Sequence, residues 1–293
     1  MVKVHGGMRR MPKMNQYYFF KERTMSTVKT GVPFGSILGG DEAFLKVFEL
    51  ADKYCRKEYE GKPESDYIKN CALMMKSYAR LFRKYHMPSM FDLGLARDVM
   101  HKYSANNLVY DFACGWGQRM VAALSLGLDY YGTDTNPDLC KCLESCARDY
   151  VLNLKLPNHA TILNQQSEIP IDGLDNSIGL CFSSPPYFDY EVYRGEKTST
   201  KLHPEYHDWL DGYMEPTLEN CKRYLIPNGH LAINVKNIEK NPIHDDVNRI
   251  CLGLGFEFVE AVPYKVKMRT GGWNQKNKEL GYADERIMVY KKP

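Results

Sequence analysis

Apolar residues recur along this chain with two different spacings. Between residues 41 and 85 they fall three and four apart, the repeat of an amphipathic helix. Phe44, Leu45, Phe48, Ala51 and Cys55 form one stripe behind Asp41 and Glu42, an acidic pair suited to a helix start, so a helix is expected over 41–60. Ile68, Cys71, Ala72, Met75, Ala79 and Phe82 form a second stripe behind Ser65, a plausible N-cap, and predict a helix over 65–85 that ends before Pro88. The first forty residues lack such a repeat and are broken by Gly6, Gly7, Pro12, Gly31, Pro33, Gly35, Gly39 and Gly40. Their only strongly apolar cluster, Tyr17 to Phe20, fits either an anchor for the arm or a surface on which a base or partner stacks.

From residue 108 onward, short apolar runs alternate with helical stretches. Strands are expected at 108–110, 130–133, 160–163, 178–182, 231–235, 256–262 and 286–290. Helices are expected at 120–126, from Pro137 onward, over 203–225 with a break at Pro216, and at 247–254. Pro227-Asn228-Gly229 reads as a turn. Strands alternating with helices build a mostly parallel sheet covered on both faces, an α/β fold with doubly wound topology. No helical pattern separates the last two strands, so the final strand is expected to run antiparallel. The division this implies is a basic arm with a helical N-terminal extension over 1–87 and one α/β domain over 88–293.

Composition narrows the class. Hydrophobic residues make up 44% and charged residues 26%, the balance of a globular protein rather than a disordered one. No apolar run approaches the ~18 residues of a membrane span, and no apolar stretch follows the charged N-terminus as in a secretory signal. Nine cysteines without framework spacing imply reduced thiols and a cytoplasmic setting. The net charge of +3 is unevenly spread: residues 1–30 carry +6 and residues 262–293 carry +5, leaving −8 between them. Basic ends around an acidic middle suit contact with a polyanion, or simply two solvated termini.

The first strand runs into Asp111-Phe112-Ala113-Cys114-Gly115-Trp116-Gly117. Glycines at a strand-to-helix turn let a ligand approach the backbone, and open parallel sheets bind ligands beyond the carboxyl ends of their strands. The spacing is neither that of a dinucleotide fingerprint nor that of a phosphate loop, and Asp111 would repel a phosphate. Asp134 ends the second strand, where an acid accepts both hydroxyls of a ribose. Two acids around a glycine turn fit a ligand with a cationic amino-acid part and a nucleoside part, such as S-adenosylmethionine; a pair of helix caps is the lesser alternative.

After the fourth strand comes Ser183-Ser184-Pro185-Pro186-Tyr187-Phe188. Consecutive prolines remove two backbone donors and stiffen the chain, leaving the Ser184 and Pro185 carbonyls as fixed acceptors. Such acceptors can take the hydrogens of a target amine so that its lone pair faces a methyl donor. A ring two residues further on can stack on an extruded base, a contribution of about 1–3 kcal/mol. A proline turn with a surface tyrosine is the plainer alternative.

The ordered set of Asp111 to Gly117, Asp134 and Ser184-Pro185-Pro186-Tyr187 resembles the S-adenosylmethionine-dependent DNA amino-methyltransferases, which act on cytosine N4 or adenine N6. The resemblance covers residues 88–293 and includes the phage-like and restriction-modification enzymes. It implies a Rossmann-like sheet of seven strands with an antiparallel last strand. It also implies that Asp111, Ala113, Cys114, Gly115 and Gly117 hold the methionine part of the cofactor, with Asp111 near its ammonium. Asp134 would then hold the ribose, and Gln166 would stand where the family often has an acid beside the adenine. Residues 91–96 resemble the segment preceding the first motif. Ser184, Pro185, Pro186 and Tyr187 become the catalytic set, with Tyr187 stacking on the target and Phe188 supporting it. Serine at the first catalytic position is more like the cytosine-N4 subgroup. The family implies direct transfer to nitrogen with no covalent intermediate.

Only about sixteen residues separate Tyr187 from the next expected helix, too few for the long recognition insert of sequence-reading relatives. Readout would fall to short loops, the first 87 residues or a partner. Lys265, Lys267, Arg269 and Trp273 form a basic, aromatic stretch expected to touch a nucleic-acid backbone, although an exposed hairpin would look the same. Cys140, Cys142 and Cys146 on one helix lack metal-site spacing, and His203 and His207 read as a solvated face, so no metal is expected. Methylation of RNA, a free nucleotide or a small amine is the second reading, and a non-catalytic binding subunit the third.

Overall fold

The computed structural model describes residues 90–193, 195–238, 241–263 and 285–293, together with positions 27, 28, 32, 33, 49, 52, 53, 56, 57, 60, 61, 63, 85 and 86. The chain divides into two compact units. The larger holds residues 90–188 and 195–293, and the smaller holds 19–89 with 189–194.

In the larger unit, seven strands form one sheet. They are β1 (Leu108–Asp111), β2 (Asp129–Asp134), β3 (Ala160–Asn164), β4 (Ile178–Ser183), β5 (Leu225–Lys236), β6 (Glu257–Pro263) and β7 (Glu285–Lys291). Their order across the sheet is β6-β7-β5-β4-β1-β2-β3. The pairs β1–β2, β2–β3, β1–β4 and β4–β5 are parallel, whereas β7 runs antiparallel to both β5 and β6. This is the doubly wound α/β sheet with an antiparallel last strand that the sequence predicts. Strand order reverses between β1 and β4, which creates a crevice at their carboxyl ends. Both strands are central, and every residue of β4 is buried.

Five longer helices, α1 (Leu93–Tyr103), α2 (Gln118–Ser125), α3 (Pro137–Leu154), α4 (Glu215–Tyr224) and α5 (Ile243–Gly253), accompany the sheet. Helix α1 was not foreseen. Its signals are the N-cap Asp92, whose Oδ1 accepts from the Leu95 amide at 2.9 Å, and the buried stripe Ala96, Val99, Met100 and Tyr103. Helix α3 begins as its sequence dictates: Asn136 Oδ1 accepts from the amides of Asp138 and Leu139, and Pro137 occupies the first turn. On α3, Cys140 and Cys146 are buried while Cys142 is half-buried.

The stretch expected to be helical over 203–225 is built in pieces. Short turns at Ser199–Leu202 and Tyr206–Trp209 lead into a π-helical turn, Leu210–Met214, and then α4. Pro216 has no amide hydrogen for an i−4 bond, so the helix widens just ahead of it. The expected turn at Pro227-Asn228-Gly229 survives as an insertion within β5. The pairing with β4 steps from Ile178↔Leu225 to Leu180↔His230, and Asn228 takes a left-handed φ of 64°. The amides of Asn228 and Lys292 close this insertion on the carbonyls of Lys292 and Gly229, each at 2.9 Å.

In the smaller unit, Thr27–Val28 pairs antiparallel with Glu191–Val192, and Val32–Pro33 pairs parallel with Tyr85–His86. Positions 49, 52, 53, 56 and 57 are helical, as the first stripe requires. The rest of the two expected N-terminal helices and the Tyr17–Phe20 cluster lie outside the described residues. No helix among the described residues is long and apolar enough to cross a membrane.

Candidate active site

The site begins at the end of β1. Asp111 is fully buried, and its carboxylate accepts from Arg119 Nε at 2.8 Å, Arg119 Nη2 at 3.1 Å, Tyr130 Oη at 2.8 Å and Ser183 Oγ at 2.8 Å. It also accepts from the Ala113 amide at 3.2 Å. The reading from sequence puts Asp111 beside the cofactor ammonium. In the fold this carboxylate faces inward and ties together β1, α2, β2 and β4. Burial lowers the proton affinity of Arg119, but the adjacent Asp111 more than offsets that, so the guanidinium stays charged. The Arg119 guanidinium lies 5.4 Å from the Phe91 ring centroid and also donates to the Ala113 carbonyl. Phe91 in turn meets Phe182 edge-on at 5.6 Å. Residue 91, at the head of the segment expected to precede the first motif, is thereby seated beside β4.

The glycine turn follows. Gly115 and Gly117 have φ of 53° and 73°, conformations that favour glycine. A Cβ on Gly115 would find no atom nearer than 3.8 Å, so the space above it is open to a ligand. Gly117 stands at the N-cap of α2 without a side-chain cap, which leaves first-turn amides available. Cys114 points the other way, into the sheet. Its thiol fills the room left by Gly132, where a Cβ would sit 2.4 Å from its sulfur. Burial pushes that thiol well above its usual range.

Asp134 stands at the end of β2, half-buried. Its Oδ2 accepts from the Gly115 amide at 3.2 Å and its Oδ1 from the Asn136 amide at 3.0 Å. Burial raises its pKa to about 6 against the lowering effect of these bonds. Gln166, just beyond β3, donates to Glu168 Oε1 at 3.1 Å. Glu168 is therefore an acid two residues beyond the position where the family often has one. Ser167 shares a 2.9 Å hydroxyl bond with Thr217, and Tyr213 in the π turn is pushed up by burial first and then by Glu168. Asp134 raises Tyr213 further. Sequence reasoning missed Arg119, Ser183, Glu168 and Tyr213; the Pro216 break was the one available hint of the last.

The catalytic motif leaves β4 at the neighbouring strand end. Ser184 Oγ accepts from Asn234 Nδ2 at 3.1 Å, and Pro185 is buried. Tyr187 is 9% exposed. Its hydroxyl donates to Glu285 Oε1 at 2.6 Å and accepts from Asn234 Nδ2 at 2.7 Å. Lys236 Nζ lies 5.5 Å from the Tyr187 ring centroid. Phe188, at a left-handed φ of 50°, packs edge-on against Trp209 at 5.7 Å and Tyr206 at 5.4 Å. It supports the turn from within the core. Lys265, Lys267, Arg269 and Trp273 lie outside the described residues.

Two motifs thus open at the same end of the sheet, bridged by the Ser183–Asp111 bond. The family model described as DNA methylase, for the N6 and N4 enzymes, matches residues 178–293. That segment is similar to the N6 and N4 DNA methylases. The matched segment spans β4 to the end of the chain and includes Ser184 to Tyr187, Asn234 and Glu285, while the glycine turn and Asp134 precede it. Among solved structures, an S-adenosylmethionine-dependent methyltransferase from Methanosarcina mazei is 14% identical, covering 66% of this chain and 96% of its own, with a TM-score of 0.44. A TehB-like methyltransferase from Corynebacterium glutamicum is 16% identical, covering 77% and 97%, with a TM-score of 0.43. A geranyl diphosphate methyltransferase in complex with GPP and sinefungin is 10% identical, covering 68% and 77%, with a TM-score of 0.46. A search of curated proteins returned no match.

Proposed function

We propose that this protein transfers a methyl group from S-adenosylmethionine to an exocyclic amine of a DNA base, cytosine N4 ahead of adenine N6. The observation that carries the reading is the Ser183–Asp111 bond at 2.8 Å, which sets the Ser-Pro-Pro-Tyr turn beside the glycine turn at the reversal of strand order.

The residues present fit the cofactor. The open space over Gly115 and the uncapped amides of α2 suit the methionine carboxylate. The ionised Asp134 suits two ribose hydroxyls, and Gln166 with Glu168 offers both donor and acceptor to an adenine edge. Asp111 acts from below by holding Ala113 and Arg119, and Cys114 contributes its backbone. S-adenosylmethionine, when bound, supplies an electrophilic methyl on a cationic sulfur.

The chain's own part is to orient the amine. Ser184 Oγ already accepts from Asn234, which leaves a second lone pair for one amine hydrogen; the carbonyl of Pro185 takes the other. The nitrogen lone pair then faces the methyl donor, and the effect rests on alignment rather than on a protein nucleophile. Tyr187 provides the ring for an extruded base, which replaces the Lys236 ammonium over that face. The proposed organisation keeps residues 1–87 as an arm and extension of the catalytic domain over 88–293. DNA is the proposed partner, with the basic stretch from Lys265 to Trp273 on its backbone, in a cytoplasmic setting.

Nucleoside mass spectrometry on DNA and RNA from cells expressing the protein tests this, beside a Pro185→Ala, Tyr187→Ala control. N4-methylcytosine in DNA, absent in the control, is the expected result. N6-methyladenine corrects the base. A mark confined to RNA, or none in a chain that still binds cofactor, replaces DNA with another amine as substrate.

A further inference from the structure

Strand β5 carries one residue that its pattern does not call for. Leu231, Ala232, Ile233 and Val235 are buried and apolar, yet between them stands Asn234, 1% exposed. Its Nδ2 lies 2.7 Å from Tyr187 Oη, 2.7 Å from Glu285 Oε1 and 3.1 Å from Ser184 Oγ. Two hydrogens therefore serve three acceptors, two of them on the catalytic turn. Its Oδ1 is buried and has no partner among the described residues. An unpaired buried amide oxygen costs about 1–3 kcal/mol, which an apolar side chain of similar shape would avoid. Stability alone does not account for an asparagine here, and breaks in a local pattern concentrate at functional sites.

The anchor of this amide is also local. Glu285 opens β7, where the antiparallel register sets it opposite Lys236, two residues from Asn234 along β5. Its Oε1 receives both the Tyr187 hydroxyl and the Asn234 amide. One carboxylate thus fixes one amide, and that amide reaches both ends of the Ser-Pro-Pro-Tyr turn.

We infer that Asn234 and Glu285 are positioning residues that set the Ser184 hydroxyl and the Tyr187 ring in register for the target base. The inference rests on the proposed amine transfer. Asn234 donates into one lone pair of Ser184 Oγ, so the remaining lone pair is directed at the incoming amine. The same amide, with Glu285, fixes the position of the hydroxyl end of the Tyr187 ring.

The test is incorporation of labelled methyl from S-adenosylmethionine into unmodified genomic DNA by the full chain, with cofactor affinity and unfolding measured alongside. Asn234→Ala is expected to lower kcat at least tenfold while cofactor Kd stays within twofold, because the cofactor groups belong to β1, β2 and α2. Glu285→Ala is expected to do the same, and Glu285→Gln, which keeps an acceptor oxygen, to recover most of the loss. On a Tyr187→Phe background the effect of Glu285→Ala is expected to shrink, since part of it acts through that hydroxyl and the rest through the Asn234 amide. Wild-type kcat in Asn234→Ala and Glu285→Ala, or losses that multiply fully with Tyr187→Phe, would overturn the role and leave the reaction standing. If Asn234→Ala fails to fold, the two Glu285 variants decide the matter alone. A wild-type chain that binds cofactor but leaves DNA unmarked overturns the DNA reaction itself, and this role with it.

Discussion

Arg119 grips the Asp111 carboxylate with two nitrogens, at 2.8 and 3.1 Å, where both residues are buried. Tyr130 and Ser183 complete the carboxylate's shell, so a residue that looks in the sequence like a ligand contact is the internal joint of four elements.

Removing one side of this joint leaves a buried charge behind. Asp111→Asn is expected to destabilise the fold by about 3–5 kcal/mol, the range for a broken buried pair. Arg119→Met is expected to cost a similar amount. The double variant should lose clearly less than the sum, because no lone charge remains. Urea unfolding of the three variants measures this, and full additivity would show that the two side chains are not coupled.

Asp134 ties cofactor binding to pH. Its pKa is raised to about 6, chiefly by burial. The proton is bound more tightly in the folded chain than in the unfolded one, so this group favours folding most at low pH. That contribution fades as pH climbs from the ordinary carboxylate range through about 6. Cofactor binding responds with the opposite sign, since ribose hydroxyls donate to the ionised form. Affinity for S-adenosylmethionine is expected to be flat above pH 7 and to fall below pH 6, by at most about tenfold per unit. Calorimetric titrations from pH 5 to 8 check it. In Asp134→Asn the affinity should be low throughout and the slope gone.

The sheet was legible because its strands are short apolar runs set between helical repeats, and parallel strands need helical crossovers. All seven strands were legible for that reason, as was the antiparallel turn of β7, which follows β6 with no helical pattern between. Helix α1 was missed because its stripe overlaps the 91–96 motif segment and is interrupted by Asp98 and His101. The glycine turn, Asp134 and the Ser-Pro-Pro-Tyr turn show in sequence because each needs a particular residue type at a strand end. Arg119, Asn234 and Glu285 do not, because their roles depend on strands and helices meeting across 8 to 98 positions of sequence (8 from Asp111 to Arg119, 98 from Tyr187 to Glu285). Phe188, expected to support Tyr187, takes a left-handed φ and packs its ring on Trp209 and Tyr206 in the core.

Gly115 and Gly132 separate ligand space from packing space. A methyl group on Gly115 meets nothing nearer than 3.8 Å, but its φ of 53° strains any other residue. Gly115→Ala is expected to cost about 1–2 kcal/mol of stability from that strain, and to weaken cofactor binding strongly by filling the cradle. Gly132→Ala drives a Cβ to 2.4 Å from Cys114 Sγ and 2.7 Å from the Tyr130 ring. It is expected to cost about 1–3 kcal/mol through overpacking, or more if Tyr130 is displaced from Asp111. Thermal unfolding with and without cofactor distinguishes them: added cofactor should raise Tm for Gly132→Ala and not for Gly115→Ala.

Phe188 decides whether the aromatic pair after the prolines works as two stacking surfaces or as one surface and a brace. Its ring contacts Trp209 and Tyr206 edge-on, and Trp209 is itself held by a 3.1 Å bond from its indole nitrogen to Ser199 Oγ. Phe188→Ala removes a buried ring from this cluster and is expected to cost about 3–5 kcal/mol of stability. Phe188→Leu, which keeps much of the volume, should recover a large part of it and retain methyl transfer wherever the chain stays folded. Tyr187→Leu, by contrast, should lose transfer even when folded, because the target base loses its ring. Unfolding curves and methyl incorporation on the same preparations compare the two. A Phe188→Leu variant that is stable yet unable to transfer would move Phe188 from brace to substrate contact.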